Sequence, residues 1–256
     1  MGRPRTYKTQ GIVLKHMTLG ESDRLLTLHT PDRGKVRAVA RGVRNAKNKK
    51  SGHLEPLTHV SVSIVERRSL DVITEASTIQ SFRKLREDLK NVSVALYLAE
   101  LVDNFSTEQS PSSVLFKLFK DGLGWLQDSK ETALLCRYFE VRLLADSGFG
   151  PELYQCVDCN VLLRPADHLF SVTSGGVLCP PCSQKSTDAM FTISQSAMKV
   201  LRFLRRESYS QASELEVPPQ LLDEVDRLTG SYIRYLLERD LKSTAFMKLV
   251  TSEGLS

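Results

Sequence analysis

Residues 11–44 read GIVLKHMTLGESDRLLTLHTPDRGKVRAVARGVR, and the rhythm of this stretch decides the fold. Gly11-Ile12-Val13-Leu14 is a short apolar run, and Leu25-Leu26-Thr27-Leu28-His29-Thr30 is a second. Pro31-Asp32-Arg33-Gly34 follows with turn residues. Val36, Ala38 and Ala40 then alternate with Arg37, Val39 and Arg41, which is the two-residue period of a strand with one buried face. Further on, Val60, Val62 and Ile64 alternate with His59, Ser61 and Ser63, and Leu70-Asp71-Val72-Ile73-Thr74 closes the series. Five short strands within residues 7–76, separated by turn signals, predict a small closed barrel of the OB type. An SH3-like barrel presents a similar count.

The period changes from about residue 81. Leu85, Leu89, Val92, Leu96 and Ala99 fall at helical spacing and continue to Val102. Ser110-Pro111 starts a second helix with Val114, Leu115, Leu118 and Phe119 on its apolar face, weakened near Gly122 and Gly124. A third runs from about Lys130 to Ala145. Helices resume after Ser194, an N-cap candidate, and again after Pro218-Pro219. The class is therefore α+β. The expected division is an OB-type barrel over residues 1–80 and a helical domain over 81–256, with an insertion at 156–182.

That insertion carries Cys156-x2-Cys159, nineteen residues, then Cys179-x2-Cys182. Each pair is at chelating spacing, and the loop returns the chain to complete a tetrahedron, the pattern of one structural Zn²⁺. Four thiolates leave no open position for a catalytic water. His168 lies inside the loop as an alternative ligand. Cys136 sits in an apolar stretch and reads as core, as does the single tryptophan, Trp125, in its helix.

Charge is divided unevenly. Residues 1–50 carry 13 Lys/Arg against 3 Asp/Glu, whereas the rest of the chain carries 22 against 27. Lys35, Arg37, Arg41, Arg44, Lys47, Lys49 and Lys50 form a run with no acidic residue, and residues 47–52 read as a polar, mobile loop. Such a strip suits phosphates on a flexible backbone. Tyr7 is the only Phe, Tyr or Trp before Phe82, so binding should rest on phosphates and be salt-sensitive.

Catalytic signatures are absent from the sequence. Glu21 and Asp23 make a candidate metal-carboxylate pair for a nuclease, but beside Arg24 they read more simply as a turn with local ion pairing. No phosphate-cradling Gly-rich loop occurs. No run of eighteen apolar residues predicts a membrane span, and basic Met1-Gly2-Arg3-Pro4-Arg5 leads into an alternating segment rather than a signal-peptide core. Paired cysteines without such a signal point to metal in a reducing, cytoplasmic compartment.

The string from Gly11 to Leu28 with its Gly20-Glu21-Ser22-Asp23-Arg24 segment, then Gly34-Lys35-Val36 and Ala40-Arg41-Gly42-Val43-Arg44, resembles the bacterial RecO family. Leu54-x-Pro56, Gly148-Phe149 and the cysteine pairs follow in the order of that family. The resemblance implies an N-terminal OB-fold, a helical domain and an inserted zinc knuckle. It implies a recombination mediator in DNA repair that binds single- and double-stranded DNA and anneals complementary strands, with Arg37, Arg41 and Arg44 facing DNA. It also implies partnership with RecR and with single-stranded DNA-binding protein, so that RecA can load. Lys199, Arg202 and Arg206 share one side of a helix beside Phe203. On this resemblance they are the candidate receptor for the acidic, aromatic tail of that single-strand-binding partner.

Overall fold

The computed structural model describes residues 5–45, 47–129, 131–187 and 189–252. Met1 to Pro4 and Lys130, the expected start of the third helix, lie outside the described residues. The chain forms two compact units: Met1–Asp128 with Lys242–Ser256, and Ser129–Leu241.

The first unit contains the expected barrel: β1 (Thr6–Leu19), β2 (Asp23–Thr30), β3 (Gly34–Ala40), β4 (His59–Val65) and β5 (Asp71–Gln80). It is closed, in the order β1-β2-β3-β5-β4, with only the β3–β5 pair parallel. This is the Greek-key order of an OB barrel. Closure depends on the length of β1. Its first half, Thr6 to Ile12, pairs with β4, and its second half pairs with β2, with a register shift between Val13 and Lys15. A strand that bends in this way serves both sides of the barrel. Val13, Leu26, Leu28, Val36, Ala38, Val60, Val62 and Ile64 fill the interior, so the alternation read from the sequence is the one that is buried.

Two helices follow in this unit, α1 (Leu89–Phe105) and α2 (Ser113–Leu126). Asp88 caps α1 by accepting from the N–H groups of Lys90 and Asn91, which stops the helix short of residue 81. Residues Arg83–Glu87 form a 3₁₀ turn instead. The expected stripe is only half buried: Leu85, Ala99 and Val102 are buried, but Leu89 is exposed and Val92 and Leu96 are half-buried, while Val94, Ala95, Leu98 and Leu101 are buried outside it. α1 packs against β1, α2 and the last helix of the chain, so it is apolar around most of its circumference and no single stripe defines it. α2 passes through Gly122 and Gly124 to Leu126.

The second unit contains α3 (Thr132–Asp146), β6 (His168–Ser171), β7 (Gly176–Leu178), α4 (Pro180–Ser183), β8 (Met190–Ile193), α5 (Gln195–Arg206), α6 (Tyr209–Ala212) and α7 (Pro219–Leu237). The three strands form one small antiparallel sheet, β7-β6-β8. Ser194 caps α5, its Oγ accepting from Ala197 N–H at 3.0 Å. α3 is the buried element of this unit, and it carries Arg137 and Glu140 with Cys136 and Phe139. Those two charges are paired at 2.7 Å, and Glu140 also accepts from Thr229 of α7 at 2.7 Å. A last helix, α8 (Lys242–Ser252), belongs to the first unit. No helix among the described residues is long and apolar enough to cross a membrane.

Candidate nucleic-acid face and metal centre

The basic run is held by the turn that precedes it. Gly42 N–H donates to Asp23 Oδ1 at 2.8 Å, and Ser22 Oγ donates to the same oxygen at 3.0 Å. The Gly42 hydrogen bond, more than that of Ser22, holds the Asp23 carboxyl below its usual range. Arg44 N–H donates to Ser22 O at 2.9 Å, and its guanidinium donates to Glu21 O at 2.9 Å and Gly20 O at 3.3 Å. Asp23 and Arg44 thus lock the β1–β2 turn to the segment leaving β3. Asp23 is spent on a backbone amide. Arg24 ion-pairs instead with Glu55, at 2.8 Å.

The loop expected to be mobile is a chain of tight turns. Asn45 N–H donates to Gly42 O, Asn48 to Asn45 O, Ser51 to Asn48 O and His53 to Lys50 O. Asn45 and Asn48 side chains accept from Lys47 and Lys50 N–H respectively, the asparagine-turn chemistry that fixes such loops. Arg37, Arg41, Arg44, Lys47 and Lys49 are exposed. Arg37 lies on the outer face of β3, because Val36 and Ala38 beside it point inward. The other two members of the run are half-buried and, like Arg44, have internal partners. Lys50 Nζ donates to Ile73 O at 3.1 Å. Lys35 is paired with Asp103 of α1 at 3.1 Å. Burial raises Asp103, but the hydrogen bonds from Lys15 and Lys35 outweigh it and leave the carboxyl below its usual range.

The four cysteines converge. Their sulfurs all lie within 4.8 Å of one another, with Cys159 and Cys179 at 3.6 Å. A tetrahedral zinc tetrathiolate with Zn–S of about 2.3 Å has sulfur–sulfur edges of about 3.8 Å, so the donor set fits the ion. Local structure explains the convergence. Asn160 adopts the left-handed conformation (φ 59°), its N–H donates to Cys156 O, and Cys156 N–H donates to Val161 O, which closes the first knuckle. Cys179 leads into α4, and Cys182 N–H returns to Cys179 O. At Gly176 a Cβ would lie 2.5 Å from Val157 Cγ1 and 2.6 Å from Glu152 O, so only glycine lets β7 approach the knuckle this closely.

Burial pushes the Cys156 thiol up, yet backbone N–H groups of Cys159, Cys179 and Asp158 pull harder and bring it to about 6. Cys182 moves the opposite way, raised first by Asp158 and then by neighbouring sulfurs. One thiolate is stabilised and a second is opposed by crowded negative charge, which a divalent cation would relieve. His168 stands apart: its Nε2 meets Arg164 O at 2.9 Å. Among the described residues the cysteines are the only group of three or more His, Cys, Asp or Glu placed to hold a metal, and neither Glu21 nor Asp23 belongs to such a group.

Lys199 and Arg206 on α5 are exposed, but Arg202 is turned inward. Its Nε donates to Leu153 O at 3.1 Å and its guanidinium lies 4.5 Å from the centroid of Tyr154. Arg206 pairs with Glu207 at 2.5 Å. The sequence reading missed the aromatic group beside Arg202: Tyr154 is exposed at 45%. Leu163 N–H donates to Tyr154 O, and Gln155 bridges to Leu162, which is itself exposed.

Comparison with known proteins covers both units. Residues 3–82 match the family model described as Recombination protein O N terminal, and residues 86–245 match Recombination protein O C terminal. A protein of Dehalococcoides mccartyi (strain CBDB1), named DNA repair protein RecO, is 36% identical over 247 residues, covering 96% of this chain and 97% of that one. A protein of the same name from Roseiflexus sp. (strain RS-1) is 36% identical over 245 residues, 96% of this chain and 86% of its own. Another, from Desulforamulus reducens, is 33% identical over 251 residues, 98% and 97% of the two chains.

Proposed function

The chain belongs to the RecO family of DNA repair and recombination proteins, and from that premise we propose that it is a non-catalytic mediator. It binds single- and double-stranded DNA, anneals complementary strands and, with RecR, helps RecA load onto DNA coated by single-stranded DNA-binding protein. It works in the bacterial cytoplasm at the nucleoid. The barrel, residues 1–80, is its principal DNA-binding domain.

The observation that carries this reading is the exposed basic run of Arg37 on β3 and Arg41, Arg44, Lys47 and Lys49 on the turns that follow it, pinned by Asp23 and Arg44. Two strands repel through their phosphates. A fixed basic surface that binds both lowers that cost and raises their local concentration. Base pairing supplies the free energy of annealing, so no nucleotide hydrolysis is required. Lys35 and Lys50 belong to the same run, but each is half-buried as well as internally partnered and should contribute less.

In this reading Cys156, Cys159, Cys179 and Cys182 hold one structural Zn²⁺, which stabilises the second unit. The face bearing Lys199, Arg202 and Arg206, with Tyr154 beside it, receives the acidic, aromatic tail of single-stranded DNA-binding protein. The direct test is annealing of labelled complementary strands, with and without that protein, in Mg²⁺. Acceleration without cleavage supports the reading. Cleavage, or no acceleration, overturns it.

A further inference from the structure

A cleft of about 880 Å³ opens on the barrel among the start of β1, the β2–β3 turn, the β4–β5 connection and the segment joining α1 to α2. Tyr7, Arg33, Arg37, Arg67, Asp71 and Glu108 line it. Its size is that of a pocket for one small ligand. One wall is tightly built. Gly34 bridges to Glu108, Lys35 N–H donates to Thr107 O at 3.1 Å, and a Cβ on Gly34 (φ +64°) would lie 2.2 Å from Ser110 O.

Within the cleft one guanidinium is held flat. Arg33 Cζ lies 3.6 Å from the centroid of the Tyr7 ring, and Arg33 NH1 donates to Glu66 Oε1 at 3.0 Å. One face of the guanidinium is therefore covered by an aromatic ring and one edge is tied to a carboxylate. The side chain remains 33% exposed and lines the cleft. Burial, then the charge of Asp71, push the Tyr7 phenol up to about 12, against the opposing pull of Arg33. Arg37 and Arg67 have no side-chain partner among the described residues, and Asp71 accepts from Arg67 N–H at 3.1 Å.

These groups select against simple ligands. A bare phosphate would meet Glu66, Asp71 and Glu108. A basic peptide would meet Arg33, Arg37 and Arg67. A flat, uncharged ring with hydrogen-bond donors on one edge and an anionic tether satisfies both sets. We propose that the cleft takes one unstacked nucleobase of a bound strand, laid on the guanidinium plane of Arg33. Its amino edge faces Asp71 and Glu108, and its flanking phosphates lie beside Arg37 and Arg67. Cytosine, adenine and guanine carry an amino group and thymine does not, so thymine is the poorest occupant. The inference rests on the DNA-binding reading and deepens it: Arg33 supplies the stacking surface that a barrel poor in aromatics otherwise lacks.

The test uses the full chain and three single-stranded oligonucleotides of equal length: oligo-dC, oligo-dT and a fully abasic strand. Wild type should favour oligo-dC over the abasic strand about tenfold, the worth of one stacked base. Arg33→Lys keeps the charge and removes the plane. It should abolish that advantage while leaving abasic-strand affinity and the salt slope unchanged. Equal weakening on all strands would make Arg33 a phosphate contact and overturn the proposal, as would no weakening. The paired substitution Asp71→Asn, Glu108→Gln should erase the preference for dC over dT; an unchanged preference overturns the amino-edge assignment. Wild type that binds none of the strands defeats the DNA-binding reading itself. Wild type that binds all three alike with a steep salt slope defeats this inference alone.

Discussion

Glu100 caps a helix that begins 142 residues after it. Its carboxylate accepts the N–H of Lys242 at 3.0 Å and of Ser243 at 2.8 Å, and Ser243 Oγ donates to it at 2.5 Å. The start of α8 is thereby fastened to α1, which places the last helix of the chain in the unit that contains the barrel. Free amides at a helix start need an acceptor, and a carboxylate there also meets the positive end of the helix dipole.

Glu100→Ala should therefore cost about 1 kcal/mol of stability and fray α8 first. Hydrogen exchange should show faster amide exchange at residues 242–245 with the β2 and β3 amides still protected. Unchanged protection at α8 would mean that apolar packing on α1 holds the helix without the cap.

His29 is wholly buried in β2, neither ring nitrogen has a partner among the described residues, and its ring lies 6.2 Å from that of Phe116 on α2. His59, on β4, approaches the same Phe116 ring at 5.6 Å and meets Gln10 Oε1 at 3.0 Å. Burial first, then Lys35, bring His29 from its ordinary 6.5 down to about 4; burial first, then Lys120, lower His59. In the folded barrel His29 stays neutral where the unfolded chain would protonate it. Stability is then full above pH 6.5 and falls as pH drops from 6.5 to about 4, by about 3 kcal/mol for a shift of that size. Urea melts across this window should show the loss, and His29→Leu should flatten it. A variant with the wild-type pH profile would remove His29 as the cause.

The parts of the fold that could be read in the sequence are those set by local period and by ligand chemistry. Val36, Ala38 and Ala40 alternate whatever surrounds them, and two Cys-x2-Cys pairs chelate by spacing alone. A closed barrel could be expected from the strand count, but not how it closes, which rests on β1 bending so that Ile12 pairs with both His29 and His59. The phase of α1 was not readable, because packing on several sides removes the contrast between faces. In the site, the charges were visible but not their assignments. Nothing local says that Asp23 will accept from Gly42, that Arg202 will turn to Leu153, or that Arg33 will lie on Tyr7. Each is a contact across 19 to 49 residues, decided by how turns are aimed.

Metal content and the stability of the second unit should be linked. Cys159→Ser removes one ligand of the four, and the chain should lose its single equivalent of zinc on dialysis while wild type retains it. Because the ligand set contributes folding free energy, thermal unfolding of the second unit should occur at lower temperature and chelation of wild type should reproduce the effect. The β-barrel, in the other unit, should keep its circular dichroism. Wild type free of zinc by elemental analysis, yet equally stable, would sink the assignment, as would disulfides between the pairs.

The exposed strip makes the sharpest claim about DNA. If Arg37 and Arg41 each neutralise a phosphate, every such contact adds roughly −0.7 to the slope of log affinity against log salt for single strands. Arg37→Glu with Arg41→Glu should therefore flatten that slope by more than one unit and weaken binding to every sequence alike. Annealing should slow in proportion. Both residues are exposed and neither Asp23 nor Arg44, which pin the turns, is touched, so the barrel should fold and the cysteines should keep their metal. Reversing Lys35 instead should act mainly on stability, because its partner is Asp103 rather than solvent. A salt titration of fluorescent oligonucleotides for the three proteins separates these effects. An unchanged slope in the double arginine variant would place the DNA path elsewhere and leave the strip as solvated surface.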